Sequence, residues 1–192
     1  DSIHTGMIDD SDVFSIYIDP SNPTSVFASA CSGVYSSASR GDAWRKLLGI
    51  PNTSRRTHVV RFESSCCGNS TQMGTIFAGT TLGLFKSING GSNWKLVNGS
   101  QVNAMALDPS HPKSMYLAME YDGIGKSDDD GETVRLTNKG FVDRDISAVT
   151  VAGKKLLAVE TQQGETSGIF VSSDHGESWS PMSSRGLAGV HL

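Results

Sequence analysis

The sequence predicts an all-β chain of repeated four-stranded antiparallel units, and three observations predict it. One eight-residue pattern recurs four times, runs of alternating or β-branched residues fill the intervals, and 21 of 192 residues are glycine, against a usual ~7%. The pattern occupies 37–44, 87–94, 127–134 and 172–179 and has the form Ser-x-Asp-x-Gly-x-x-Trp. Its members are Ser37, Gly41 and Trp44; Ser87, Asn89, Gly91 and Trp94; Ser127, Asp129 and Gly131; and Ser172, Asp174, Gly176 and Trp179. Successive copies begin 50, 40 and 45 residues apart, the period of a four-stranded β-propeller blade.

Each element follows from this frame. An Asp or Asn side chain accepts from backbone N–H groups about two residues on and closes a turn, and glycine supplies the positive φ such a turn needs. The box is therefore read as the tip between the third and fourth strands of a blade, with the Trp opening the fourth strand and covering the hydrophobic edge. A carboxylate bonded within its own turn is structural and unavailable as acid or base.

Strands are expected in the first unit at 13–19, 26–30, 33–36 and 43–47, and in the second at 58–62, 75–79, 83–86 and 93–97. The third has 102–108, 115–119, 123–126 and 133–136, and the fourth 146–151, 155–160, 168–171 and 178–181. By propensity alone 154–163 passes for a helix, but its alignment with the other second strands overrules that weak preference. Asp19-Pro20-Ser21-Asn22-Pro23 and Asp108-Pro109-Ser110-His111-Pro112 end two first strands, where proline stops the ladder. Gly6-Met7, Gly140-Phe141 and Gly186-Leu187 stand ahead of first strands as linkers. The blades then span 13–48, 57–98, 102–138 and 145–183, and 184–192 begins a further blade.

These residues resemble the Asp-box, or BNR-repeat, β-propeller superfamily. Its boxes are similar to those above, and Ile18 to Pro23 with Phe85-Lys86-Ser87 resembles the phrase between boxes in many bacterial members. The resemblance runs over 13–182, with Ser39, Asn89 and Val134 as departures from the box. It implies the fold far more sharply than the activity, because the superfamily includes sialidases, xyloglucan-cleaving glycoside hydrolases, sortilin-type receptors and photosystem II assembly factors. Longer relatives use more than four blades, so the chain is read as part of a larger propeller. A closed four-bladed ring and a pairing of two chains into eight blades are the alternatives. Open edges in such an array predict self-association.

Composition narrows the function. A net charge of −4 argues against a general nucleic-acid or polybasic membrane surface, and no run approaches the ~18 apolar residues of a membrane span. A soluble domain is expected, with secretion or a periplasmic location compatible and the compartment open. No cofactor is expected, since no glycine-rich loop leads from a strand into a helix. No metal is expected either: His4, His58, His111, His175 and His191 show no paired ligand spacing, and Cys66-Cys67 lacks the separated pairs of a zinc site. The adjacent Cys66 and Cys67 can bridge each other only with strain, and Cys31 is assigned to the opposite loop face.

Strand order puts the A–B and C–D turns at one end of each blade and the B–C and D–A connections at the other, where propellers usually take ligands. The candidates at that second end are Arg55, Arg56, His58, Tyr121 and Asp143 for binding, with Glu120 and Asp122 as weak candidate acids. The primary reading is a non-catalytic propeller that binds a protein, peptide or glycan. The alternative is a glycoside hydrolase segment, xyloglucanase-like or sialidase-like, whose second acid lies outside this chain. In xyloglucan-cleaving relatives an acid follows the second strand. Of the matching places here, near Cys31, Thr81 and Glu120, the last alone is a carboxylate. The Arg-Ile-Pro motif of sialidases is absent, Arg61 being followed by Phe62. Glu120 and Asp122 share one loop and do not flank a sugar as a glycosidase pair must.

Overall fold

The computed structural model describes residues 12–51, 53–54, 56–63, 74–162 and 165–182. Arg55, Cys66, Cys67, the two outer Gly-apolar linkers and the expected further blade at 184–192 lie outside the described residues.

No helix occurs among the described residues, and sixteen strands form four antiparallel sheets of four. The first is β1 (Val13–Ile18), β2 (Val26–Ala30), β3 (Gly33–Ser37) and β4 (Arg45–Leu47), and the second is β5 (Thr57–Glu63), β6 (Thr75–Thr80), β7 (Gly83–Ser87) and β8 (Lys95–Asn98). The third is β9 (Val102–Leu107), β10 (Met115–Met119), β11 (Gly123–Ser127) and β12 (Arg135–Leu136). The fourth is β13 (Ile146–Ala152), β14 (Lys155–Gln162), β15 (Glu165–Ser172) and β16 (Ser180–Pro181). Each sheet is a simple meander, so the A–B and C–D turns share one end of a sheet and the other connections share the opposite end.

The helix-compatible segment is strand β14, and its hairpin with β15 is longer than expected, pairing from Leu156↔Ser172 out to Gln162↔Glu165. The fourth strands are shorter than expected. β4, β8 and β16 each begin one residue after the box Trp, so the Trp precedes the returning strand instead of opening it.

The chain divides into two compact units, one holding the first two sheets and the other the last two. In the first, Phe27, Val34 and Leu47 of one sheet pack with Val60, Ile76, Ala78 and Phe85 of the next. In the second, Tyr116 and Ile124 pack with Ile146, Leu156, Phe170 and Trp179. β2, β6, β10 and β11 carry fully buried residues, as expected of middle strands covered on both faces. Of the box tryptophans only Trp179 is buried, at 4% exposure, and its indole N–H donates to the Thr137 carbonyl at 3.0 Å. The linker motif explains its setting. The Trp179 N–H donates to the Lys139 carbonyl at 2.8 Å, a Cβ on Gly140 would lie 1.8 Å from the Trp179 carbonyl oxygen, and Phe141 then packs on the indole with centroids 5.2 Å apart and planes tilted by 35°.

The boxes close as tips, by a division of labour the sequence does not display. In every copy the buried Ser Oγ, of Ser37, Ser87, Ser127 or Ser172, accepts the N–H of the Gly four residues on, at 2.9–3.0 Å. The acidic position accepts the serine hydroxyl on its inner side, Ser127 to Asp129 at 2.8 Å and Ser172 to Asp174 at 2.7 Å; on its outer side Asp129 accepts from the Thr133 N–H and hydroxyl and Asp174 does the same with Ser178. Ser39 and Asn89 make the equivalent backbone bond to Ala43 and Asn93 at 3.0 and 2.9 Å, so those departures keep the turn. The Thr133 hydroxyl and then the backbone bonds hold the Asp129 carboxyl down at about 2, and Asp174 is lowered further by the same kind of partners. The residue before each box glycine is also left-handed: Arg40, Gly90, Asp130 and His175 have φ of 59°, 66°, 61° and 56°.

Candidate functional site

The B–C and D–A ends of the two units differ in character. In the first unit, the ladders of β1 with β2 and of β5 with β6 each shift register once near the start of the first strand, at Phe14 and at His58. A bulge there re-aims one side chain. The result is a ring stack, with Phe14 and His58 centroids 5.7 Å apart and planes 17° off parallel. The Arg56 guanidinium lies over the same Phe14 ring, 6.0 Å from its centroid. Phe14 stays 41% exposed, and the Arg56 carbonyl accepts the Thr81 N–H at 3.1 Å, which ties the stack to the β6–β7 turn. Thr80 closes that turn by donating to the Gly83 carbonyl and accepting the Leu82 N–H, both at 3.0 Å. Of the sequence candidates the structure thus joins Arg56 and His58. The stack's centre, Phe14, was missed. Its signal was a large aromatic at the equivalent first-strand position to His58.

In the second unit the carboxylates mostly serve the loops. The Tyr121 side chain is 76% exposed on a residue with φ of 65°. Its hydroxyl is hydrogen-bonded to the Glu120 carboxylate, which with the neighbouring negative charge raises the phenol above its usual value. Asn138 fastens the loop beneath, its amide donating to the Asp122 carbonyl at 2.7 Å and its side-chain oxygen accepting the Ile124 N–H at 2.8 Å. The Asp143 carboxylate accepts the Arg144 N–H at 2.7 Å. Its own N–H donates to Glu160 at 2.8 Å, and Glu160 is a buried carboxylate, 5% exposed, at the end of β14. Glu160 was missed, because a strand-end acid opposite Gly168 looks like an ordinary edge residue. This end can accept hydrogen bonds and offers one aromatic face.

Cys31 is half-buried and not in a disulfide, with its Sγ 3.6 Å from the Asp12 carboxylate to which it donates. At the A–B and C–D end of the second unit, Asp108, His111 and His175 each bring a ligand atom within 4.8 Å of the others. Sequence spacing could not reveal that trio, because two of its members lie in the same turn and the third in the next blade's box. Burial pushes the Asp108 carboxyl up, but the hydrogen bonds from Ser110 and His111 outweigh it and leave the group below its usual value.

No protein-family model and no curated protein matches the chain by sequence. Comparison of the fold with solved structures does find similar folds. An ancestral GH74 enzyme superposes with a TM-score of 0.69 at 19% identity over 96% of this chain and 25% of its own. The GH74 xyloglucanase of Xanthomonas campestris gives 0.66 at 19% identity over 88% and 29%. YCF48 bound to a D1 peptide gives 0.64 at 14% identity over 95% and 58%. The chain has the fold of β-propeller blades. It spans a quarter to a third of the GH74 enzymes it is similar to, and no helix among the described residues is long and apolar enough to cross a membrane.

Proposed function

We propose that the chain is a non-catalytic binding module that takes a peptide segment of a partner protein at the B–C and D–A end of its blades. The observation that carries this reading is the Arg56–Phe14–His58 stack, in which Arg56 and Phe14 are exposed and His58 is half-buried. Planar groups on a rigid strand end give contact area with little side-chain ordering cost, and aromatic and Arg side chains dominate binding hot spots. The carboxylates of the second unit support it indirectly, since Glu120, Asp143 and Glu160 hold loop groups. YCF48, similar in fold at 14% identity, has been solved bound to a D1 peptide, which supports a peptide as the ligand class. Glycan binding uses the same chemistry and is the second ligand class to test.

The test is binding of peptide and oligosaccharide panels to the full chain. Phe14→Ala and Arg56→Ala should each weaken a bound peptide about tenfold, the loss expected for a hot-spot residue. Unchanged binding in both variants would reject the site.

The similarity to GH74 enzymes supports a second reading, a glycoside hydrolase segment with Glu120, or less well Asp122, as one acid. Turnover of xyloglucan, β-glucan or sialosides that Glu120→Gln abolishes would establish it and displace the binding-only reading.

A further inference from the structure

We propose that Asp108, His111 and His175 form a site for a divalent transition ion of the zinc class, fastening the box turn of the fourth sheet to the A–B turn of the third. Both turns belong to one compact unit. Asp108 is buried, at 5% exposure. Its Oδ1 accepts the Ser110 N–H at 2.9 Å and the Ser110 hydroxyl at 2.6 Å, leaving Oδ2 to face His111 Nδ1 at 3.2 Å. Nδ1 also lies 3.1 Å from the Ser110 hydroxyl. The two imidazoles meet edge to face, centroids 4.8 Å apart at 80°.

Zinc with bonds of about 2.0–2.2 Å in tetrahedral geometry sets its ligands roughly 3.3–3.5 Å apart. The Asp108–His111 pair, at 3.2 Å, lies just under that separation, and the whole trio lies within 4.8 Å. Both His111 and His175 are exposed, so side-chain rotation is available to close the remainder. Two imidazoles and a carboxylate suit zinc better than magnesium or calcium, and three protein ligands leave a fourth position for water.

The chain contains its own control. The A–B turn of the first sheet repeats the Asp turn, with Asp19 Oδ1 accepting the Ser21 N–H at 2.8 Å and its hydroxyl at 2.6 Å. There Asn22 stands where the third sheet has His111, and the next box has Gly90 where the fourth has His175. The turns therefore close without either histidine. His175 also keeps a left-handed φ of 56° that glycine adopts more easily. Its backbone is held from below, the carbonyl accepting from Tyr116 at 3.1 Å, so the ring projects from a fixed base. Beside the trio opens a cavity of about 390 Å³ whose lining includes Ser173, Lys154 and Lys155. The two lysines oppose a cation, and they would attract an anion, which makes phosphate the control ligand.

Titration of zinc into the full chain, followed by calorimetry and by the unfolding temperature, tests the site, with cobalt absorption reporting the coordination. Zinc should bind and raise the unfolding temperature with concentration. His111→Asn and His175→Gly, each installing the residue the chain uses at the matching turn, should keep the metal-free fold and weaken zinc at least ~tenfold. No response at millimolar zinc would overturn the proposal. So would an unchanged response in the double variant, which would place the metal elsewhere, or phosphate binding that the same variants abolish while zinc stays inert.

Discussion

The Tyr116 hydroxyl donates to the His175 carbonyl at 3.1 Å, joining the middle of the third sheet to the box tip of the fourth. The phenol ring is fully buried, and a Cβ on Gly176 would lie 2.7 Å from its Cε1. The tip therefore rests on the ring and is bonded to its edge. Tyr116→Phe should cost about 1–2 kcal/mol, because it leaves a shielded carbonyl without its donor. Gly176→Ala should cost more, roughly 2–4 kcal/mol, since the new methyl meets an immobile ring at a φ of 80° that alanine resists. Urea unfolding of the two variants checks both the sizes and the order.

The box serine should matter more than the box acid. Ser127 is 1% exposed and accepts the Gly131 N–H at 2.9 Å, whereas the bonds of Asp129 to Thr133 are exposed. Ser127→Ala strands a buried donor and should cost about 1–3 kcal/mol. Asp129→Ala also removes the acceptor of the Ser127 hydroxyl, but that hydroxyl keeps the Gly131 N–H and the other groups released are exposed to water, so it should cost less than Ser127→Ala. Equal losses in the two variants, measured by urea midpoint, would show that serine and acid hold the turn as one bonded pair.

The same contrast marks what could be read from the chain. The box period and the alternation located the strands because each reports a backbone periodicity. The length of the β14–β15 hairpin, the burial of Ser127 and the only partial burial of Trp44 and Trp94 depend on neighbours that periodicity does not encode. Arg56 and His58 were found as loop charges, while Phe14 became a site residue only through two bulges that turn it onto His58. Asp108, His111 and His175 were dismissed as punctuation or isolated imidazoles, since two sheets must stack before they meet.

Left-handed residues at the tips offer a stabilising change. Arg40 has φ of 59° and Gly90 occupies the matching place at 66°. A non-glycine residue there costs about 1–2 kcal/mol, against ~0.5–1 kcal/mol for the extra freedom of glycine when unfolded. Arg40 is exposed, so Arg40→Gly should raise stability by about 0.5–1 kcal/mol. Asp130→Gly should change it little, because aspartate tolerates this conformation. A lower unfolding temperature for Arg40→Gly would show that its side chain holds a contact worth more than the strain.

Acid sensitivity of the second unit should centre on Glu177. Hydrogen bonds from Arg135 and then Lys126 bring its carboxyl down from 4.5 to about 2. The Lys126 ammonium lies 2.9 Å away, at 7% side-chain exposure, with Asp128 at 3.4 Å as its other acid. A carboxyl lowered by folding contributes stability that is complete above its unfolded value near 4.5 and is lost as pH falls through about 2. Stability should therefore decline across that window and stay flat above it. Glu177→Gln should lower stability near neutrality, where Lys126 is left with one acid, and make the acid decline shallower. Asp129 and Asp174, also lowered by folding, sustain the slope that remains. Urea midpoints of the two proteins should then converge toward ~pH 3 and below. Parallel curves across the window would mean that the Glu177 pair is as strong in the unfolded chain as in the folded one.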